Sequence, residues 1–391
     1  MKLNNTAEQP RAASRPAPAT RYGFVDLLRG YALVVMIETH VVNAYLLPEL
    51  RHERFFFWLT FCNGLVAPGF LFASGFSALL QAGREWDDWL RFGPAFWRRM
   101  RRLGFITLVA YYTHLRGFRF SKYLQDEPGI WRDTFQVDIL QCIVASLLVL
   151  HALILILRAR ELFAWGAASA ALGVMVVTPW VWAHDLSRRL PIALALFLSP
   201  HGLSLFPLFP WLSFVAAGSV AGYTFVAAAA RKRELVYMRR AAGLAVLLVA
   251  GGLAANAAPL ALPGKQDFYT TSPLYVLIRL GCVLAIMALL FLLERSAGLV
   301  PRAIRVAGQE SLLVYGVHLW LIFAVLRGKH LGPILGLQAG YAVCFLSSAA
   351  IVAAMLVLAG GWRRLKATHP TATRRCQAAV VAVMIVVFLL R

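Results

Sequence analysis

Charge is scarce in this chain of 391 residues: Asp, Glu, Lys and Arg make up 15% of it, and only 18 residues are acidic. Soluble domains carry about a quarter charged residues and a smaller apolar share than the 60% found here, so a soluble globular fold is excluded. Cysteine is sparse as well. Cys62, Cys142, Cys282, Cys344 and Cys376 lie in or beside apolar runs without CxxC spacing, so neither a disulfide framework nor a metal site is expected. The chain has no P-loop, GxSxG elbow, HExxH or strand-borne GxGxxG, which leaves the soluble enzyme classes those motifs mark without support. It also lacks an internal repeat, which a transporter built from inverted halves should show.

What the chain does have is long apolar runs, and a helix needs about 20 such residues to cross a bilayer core. Spans are expected at 24–47, 55–82, 103–120, 138–157, 162–184, 207–227, 241–262, 274–293, 311–326 and 337–360. A further run, 377–390, is short for a crossing and is either an eleventh span or a helix at the interface. The expected fold is therefore an all-α, polytopic integral membrane bundle of 10 or 11 helices. Residues 1–22, rich in Pro, Ala and Arg, read as a disordered tail, 23–360 as the membrane domain, and 361–391 as a basic linker with a short hydrophobic helix.

The net charge of +21 would suggest nucleic acid in a soluble protein, but its distribution points elsewhere. With the amino terminus taken as cytoplasmic, 25 of the 39 basic residues fall on that side and 11 in the opposite connections. This is the positive-inside pattern, so the partner is the lipid bilayer and no nucleic acid is expected.

Ionisable side chains in a span cost roughly 2.5–3.5 kcal/mol each on insertion scales, which makes them functional candidates. The first span holds Asp26, Arg29, Glu38 and His40. Eleven residues are nearly three helical turns, so Arg29 and His40 share a face, roughly 16 Å apart along the axis. Asp26, Met36 and Asn43 lie close to that line, whereas Glu38 is about 200° round from His40. Arg29 suits phosphate or carboxylate, or a lipid-interface anchor paired with Asp26. His40 suits proton transfer from an attacking hydroxyl or amine, or a packing hydrogen bond. In PGFLFASGFSALL, Ser74 and its small neighbours either open a cavity or let backbones pack. In GQESLLVYGVHLW, Tyr315 and His318 share a face and could orient a substrate.

The opening RYGFVDLLRGYALVVMIETH resembles the first span of the transmembrane acyltransferase superfamily, with Arg29 and His40 at the motif's spacing. NGLVAPGFLFASGFS, DILQC, FPLFPWLSFVAAGSVAG and GQESLLVYGVHL are similar in order to the heparan-α-glucosaminide N-acetyltransferase branch and its bacterial relatives. The resemblance is weaker to the acyltransferase family 3 enzymes. It implies an acyl-CoA-dependent acyltransferase of the bacterial inner membrane with a cytoplasmic amino terminus. The implied reaction moves an acyl group, commonly acetyl, from cytosolic acyl-CoA to a hydroxyl or amine of an extracytoplasmic carbohydrate. Carried over by position, Arg29 helps hold the donor and His40 is the catalytic histidine, as base or acyl carrier. On the residues themselves, Arg29 also counts as catalytic, Asp26 joins it as a donor-binding candidate, and Asn43, Ser74, Tyr315 and His318 are candidates for contact with the acceptor. The lysosomal branch points instead to His52, in the basic stretch ELRHER. The rival reading is a transporter or flippase for an anionic lipid-linked sugar, and the sequence leaves room for an oligomer.

Overall fold

Hydrocarbon offers no water to backbone groups, so a spanning chain closes its hydrogen bonds internally, and the apolar runs accordingly form helices. A computed structural model describes residues 21–115, 119–126, 129–200, 203–258, 267–296, 301–326 and 339–390. In chain order the helices are α1 (Gly23–Tyr45), α2 (Arg54–Asn63), α3 (Val66–Ala82), α4 (Trp86–Leu90), α5 (Pro94–Tyr112), α6 (Ser121–Leu124), α7 (Ile130–Thr134), α8 (Ile139–Leu157) and α9 (Arg160–Ala183). They continue with α10 (Ile192–Leu198), α11 (Leu208–Ala230), α12 (Glu234–Ala257), α13 (Pro273–Arg295), α14 (Arg302–Gln309), α15 (Ser311–Leu319), α16 (Tyr341–Thr368) and α17 (Pro370–Leu390). A π-helical stretch, Trp320–Leu326, extends α15. Among the described residues the β-type pairing is one isolated bridge between Leu46 and Ala339.

Eight helices, with α2 and α3 taken together, are long and apolar enough to cross a membrane. The pair α14 and α15 makes a ninth, bent by 85°. Two more expected spans, α1 and α5, stay outside that count by composition: α1 carries Asp26, Arg29 and Glu38, and α5 carries Arg98, Arg99, Arg101 and Arg102. The chain is thus a polytopic helical membrane protein. One detail differs from expectation. The carboxy-terminal run is a helix of 21 residues, Pro370–Leu390, because helix continues through the basic, polar stretch expected to be a linker. The run 311–326 follows a sharp turn of the chain between Gln309 and Ser311, and its helix passes from α to π geometry at Trp320. The tail 1–20 and the connection 327–338 lie outside the described residues.

The core gathers where α1, α3, α11 and α13 converge on Phe24, whose ring meets Phe76, Phe225 and Phe291 edge to face at 5.7, 5.3 and 5.6 Å. Such pairs contribute about 0.5–1.5 kcal/mol beyond area burial. Helices α3 and α11 touch backbone to backbone. A Cβ on Gly75 would stand 1.9 Å from the Val215 carbonyl, and one on Gly218 2.1 Å from that of Phe72. Gly75 of the second span therefore serves packing. Ser74 Oγ donates to the Phe70 carbonyl of its own helix at 2.8 Å.

Candidate active site

Helix α1 runs unbroken from Gly23 to Tyr45, so Arg29 and His40 stand on one face near its two ends. Between them the face is occupied by Leu33, Met36 and Ile37, all buried in packing. The polar groups therefore form two clusters rather than one continuous stripe.

At the Arg29 end the buried Asp26 carboxylate accepts from Arg29 Nη2 at 2.5 Å, Arg21 Nε at 2.6 Å and Gln309 Nε2 at 2.9 Å. Gln309 Oε1 in turn accepts from Arg363 Nη1 at 2.5 Å. Gln309 reaches Asp26 because α14 crosses directly over Gly30, where a Cβ would lie 2.2 Å from the Ile304 carbonyl. Helix α5 brings Arg99 and Arg102 close enough for their charges to act on Arg29. The Nε atoms of Arg29 and Arg99 are buried without a hydrogen-bond partner among the described residues. One carboxylate faces several guanidinium groups here, two with an unused buried donor, and guanidinium forks match phosphate and carboxylate oxygens. The cluster is suited to an anion.

At the other end His40 meets His318 of α15, their ring centroids 5.5 Å apart, and the Phe323 ring at 5.6 Å. His318 is fully buried. Its Nδ1 donates to the Val314 carbonyl at 2.7 Å, which leaves Nε2 as a lone-pair nitrogen buried without a partner among the described residues. Tyr315 stands 5.9 Å from the His318 ring and donates to Asp138 Oδ2 at 3.2 Å. His114 Nε2 lies 4.0 Å from the same oxygen. Imidazoles, a phenol and a carboxylate thus gather between α1, α15 and the start of α8, groups of the kind that exchange protons, with Tyr315 and Asp138 hydrogen-bonded among them.

Of the residues singled out in the sequence, Asp26 and Arg29 meet at one end, and His40, Tyr315 and His318 at the other. Asn43 is exposed, and its backbone carbonyl accepts from Arg51. His52 is exposed in the short turn Glu49–His52. Glu38 lies on the opposite face of α1, and its Oε1 is buried without a hydrogen-bond partner among the described residues. Arg279 spreads over the Tyr275 and Trp211 rings at 4.1 and 5.8 Å. Sequence reasoning did not join Asp138 and His114 to the histidines, or Gln309 to Asp26. One signal was available for Asp138: D-x-x-Q at the head of an apolar run is a capping box, and Asp138 and Gln141 form it. Its second carboxylate oxygen remains available to Tyr315.

Fold and site define a class: a polytopic helical membrane protein with an ion-paired arginine cluster at one end and facing histidines at the other. Within that class, residues 21–256 match the catalytic model of heparan-alpha-glucosaminide N-acetyltransferase. The match covers more than half of the chain, and the protein belongs to that acetyltransferase family. It takes in Arg29, His40, Arg99, Arg102 and Asp138, while Tyr315 and His318 lie beyond it. No curated protein matches the chain.

Proposed function

We propose that this protein is an acyl-CoA-dependent acyltransferase that acetylates a hydroxyl or amine of a carbohydrate across the bacterial inner membrane. The excess of basic residues in the connections on the Arg29 side supports an orientation with the Arg29 end in the cytoplasm and the His40 end outside. Arg29, Arg99 and Arg102 hold the phosphates of acetyl-CoA, with Asp26 fixing the Arg29 fork. At the far end His40 takes the proton from the acceptor hydroxyl or amine as that atom attacks the thioester carbonyl. The carbon–sulfur bond breaks, and the CoA thiolate leaves and takes the proton back. His318 positions His40 and offers a second lone-pair nitrogen on the same proton route, and Tyr315 contributes its hydroxyl there. The alignment of the His40 and His318 rings, both backed by α1 and α15, carries this reading.

The test supplies labelled acetyl-CoA to membranes containing the protein. The His40→Ala variant is expected to lose transfer to glycan by about 10²-fold or more, the usual contribution of a general base. Arg29→Gln is expected to weaken acetyl-CoA binding while leaving the histidine pair intact. Undiminished transfer by His40→Ala overturns the role given to His40, and transport of a lipid-linked sugar without acetyl-CoA turnover overturns the enzyme reading.

A further inference from the structure

Away from both clusters, the side of the bundle holds a cavity of about 690 Å³ between α9 and α12, floored by α11 and backed by α13. It forms because α12 packs tightly along α13 but touches α11 only sparingly, so the two helices diverge above their short connection. The floor is built of small side chains such as Ala221 and Ala228, and Leu172 and Leu244 stand on its two rims, each about half exposed.

The cavity is apolar along most of its depth and strongly basic at one end. Arg231 closes α11, Arg233 precedes α12 and Arg240 lies two turns further on, and all three line it. Arg233, Tyr237, Arg240, Leu244 and Leu248 follow helical spacing down one face of α12. That face passes from cationic to apolar within two turns and continues apolar for about 12 Å from Arg240 to Leu248. None of the three arginines has an ion-pair partner among the described residues. Tyr237 braces the basic end, its hydroxyl donating to the Ala221 carbonyl at 2.9 Å. This end lies at the same side of the bundle as Arg29, because Phe225, one and a half turns before Arg231, packs on Tyr22 and Tyr237 at 4.8 and 5.4 Å.

We propose that this groove is a binding site for an anionic phospholipid, its phosphate held by Arg231, Arg233 and Arg240 and an acyl chain lying along the apolar floor. The charge complementarity names the occupant: unpaired cations at headgroup depth above an apolar, laterally exposed wall fit one molecule that carries both an anion and a hydrocarbon tail. Acetyl-CoA fits less well, since its polar body would lie against leucine and alanine. The inference stands on this groove alone and does not depend on the acyl-transfer reading.

The experiment is native mass spectrometry of the intact protein released from detergent with equal amounts of phosphatidylglycerol and phosphatidylcholine of identical chains. Phosphatidylglycerol is expected to be retained in preference, and the triple variant R231Q/R233Q/R240Q to lose that preference by at least about tenfold. A second variant, Ala228→Leu, narrows the floor without touching a charge and is expected to lower retention of both lipids. It keeps the test valid if the triple variant does not fold. Equal retention of the two lipids by the unaltered protein overturns the proposal. So does displacement of phosphatidylglycerol by acetyl-CoA, which would make the groove a donor site, or by inorganic phosphate alone, which would make the tail irrelevant.

Discussion

Asp26 has a single carboxylate serving three donors on three different segments, and that arrangement makes it the residue on which the basic end of the site depends. Breaking a buried ion pair by removing one partner costs about 3–5 kcal/mol, because the remaining charge is left without compensation. Asp26→Ala is therefore expected to lower the unfolding temperature of the detergent-purified protein by several degrees. Adding acetyl-CoA should restore part of the loss, its phosphates supplying the missing anion beside Arg29. A variant that melts like the parent, with or without acetyl-CoA, would show that neither the pair nor the donor site is as described. The pairing of Asp26 with Arg29 was readable from their i,i+3 spacing alone. The third donor was not, since Gln309 comes from a distant part of the chain and reaches Asp26 only through the crossing at Gly30.

At the scale of helices, the interfaces depend on where a side chain is missing. The α3–α11 contact brings Gly218 within backbone distance of Phe72, so Gly218→Val must push the two helices apart. Overpacking of this kind costs about 1–3 kcal/mol or more. The expected result is a lower unfolding temperature and reduced yield of monodisperse protein. Gly69→Ala, on α3 with open space around it, should behave as the parent does. Equal behaviour of the two variants would contradict the close crossing. Nothing in PGFLFASGFSALL alone separates Gly69 from Gly75, which meets α11 as Gly218 meets α3. Their difference arises from the neighbour each one faces: α11 backbone at Gly75, open space at Gly69.

For the molecule as a whole, the proposed orientation makes a direct prediction about its two surfaces. Single cysteines introduced at Lys232, in the α11–α12 connection, and at Glu49, in the turn after α1, should react with a membrane-impermeant maleimide from opposite sides in a background without the native cysteines. Glu49 is expected to be labelled in intact cells and Lys232 only after the membrane is opened. The reverse pattern would put Arg29 outside and remove the route for cytosolic acyl-CoA. The two positions lie at opposite ends of the bundle, with Glu49 just beyond the His40 end of α1 and Lys232 beside the groove's arginines.

Composition and periodicity alone were enough to establish a helical membrane protein, the approximate position of each crossing and the shared face of Arg29 and His40. Hydrophobic runs and the 3.6-residue repeat act locally, over one or two turns, and survive in any tertiary arrangement. Only the folded bundle decided that His40 faces His318, that Gln309 joins Asp26, and that Tyr315 meets Asp138. Each of those outcomes rests on contacts between segments far apart in the chain, set by which glycines admit a neighbouring backbone and where α14 turns through 85° into α15. Helical spacing assigns a side chain its face, and packing alone assigns that face its neighbour.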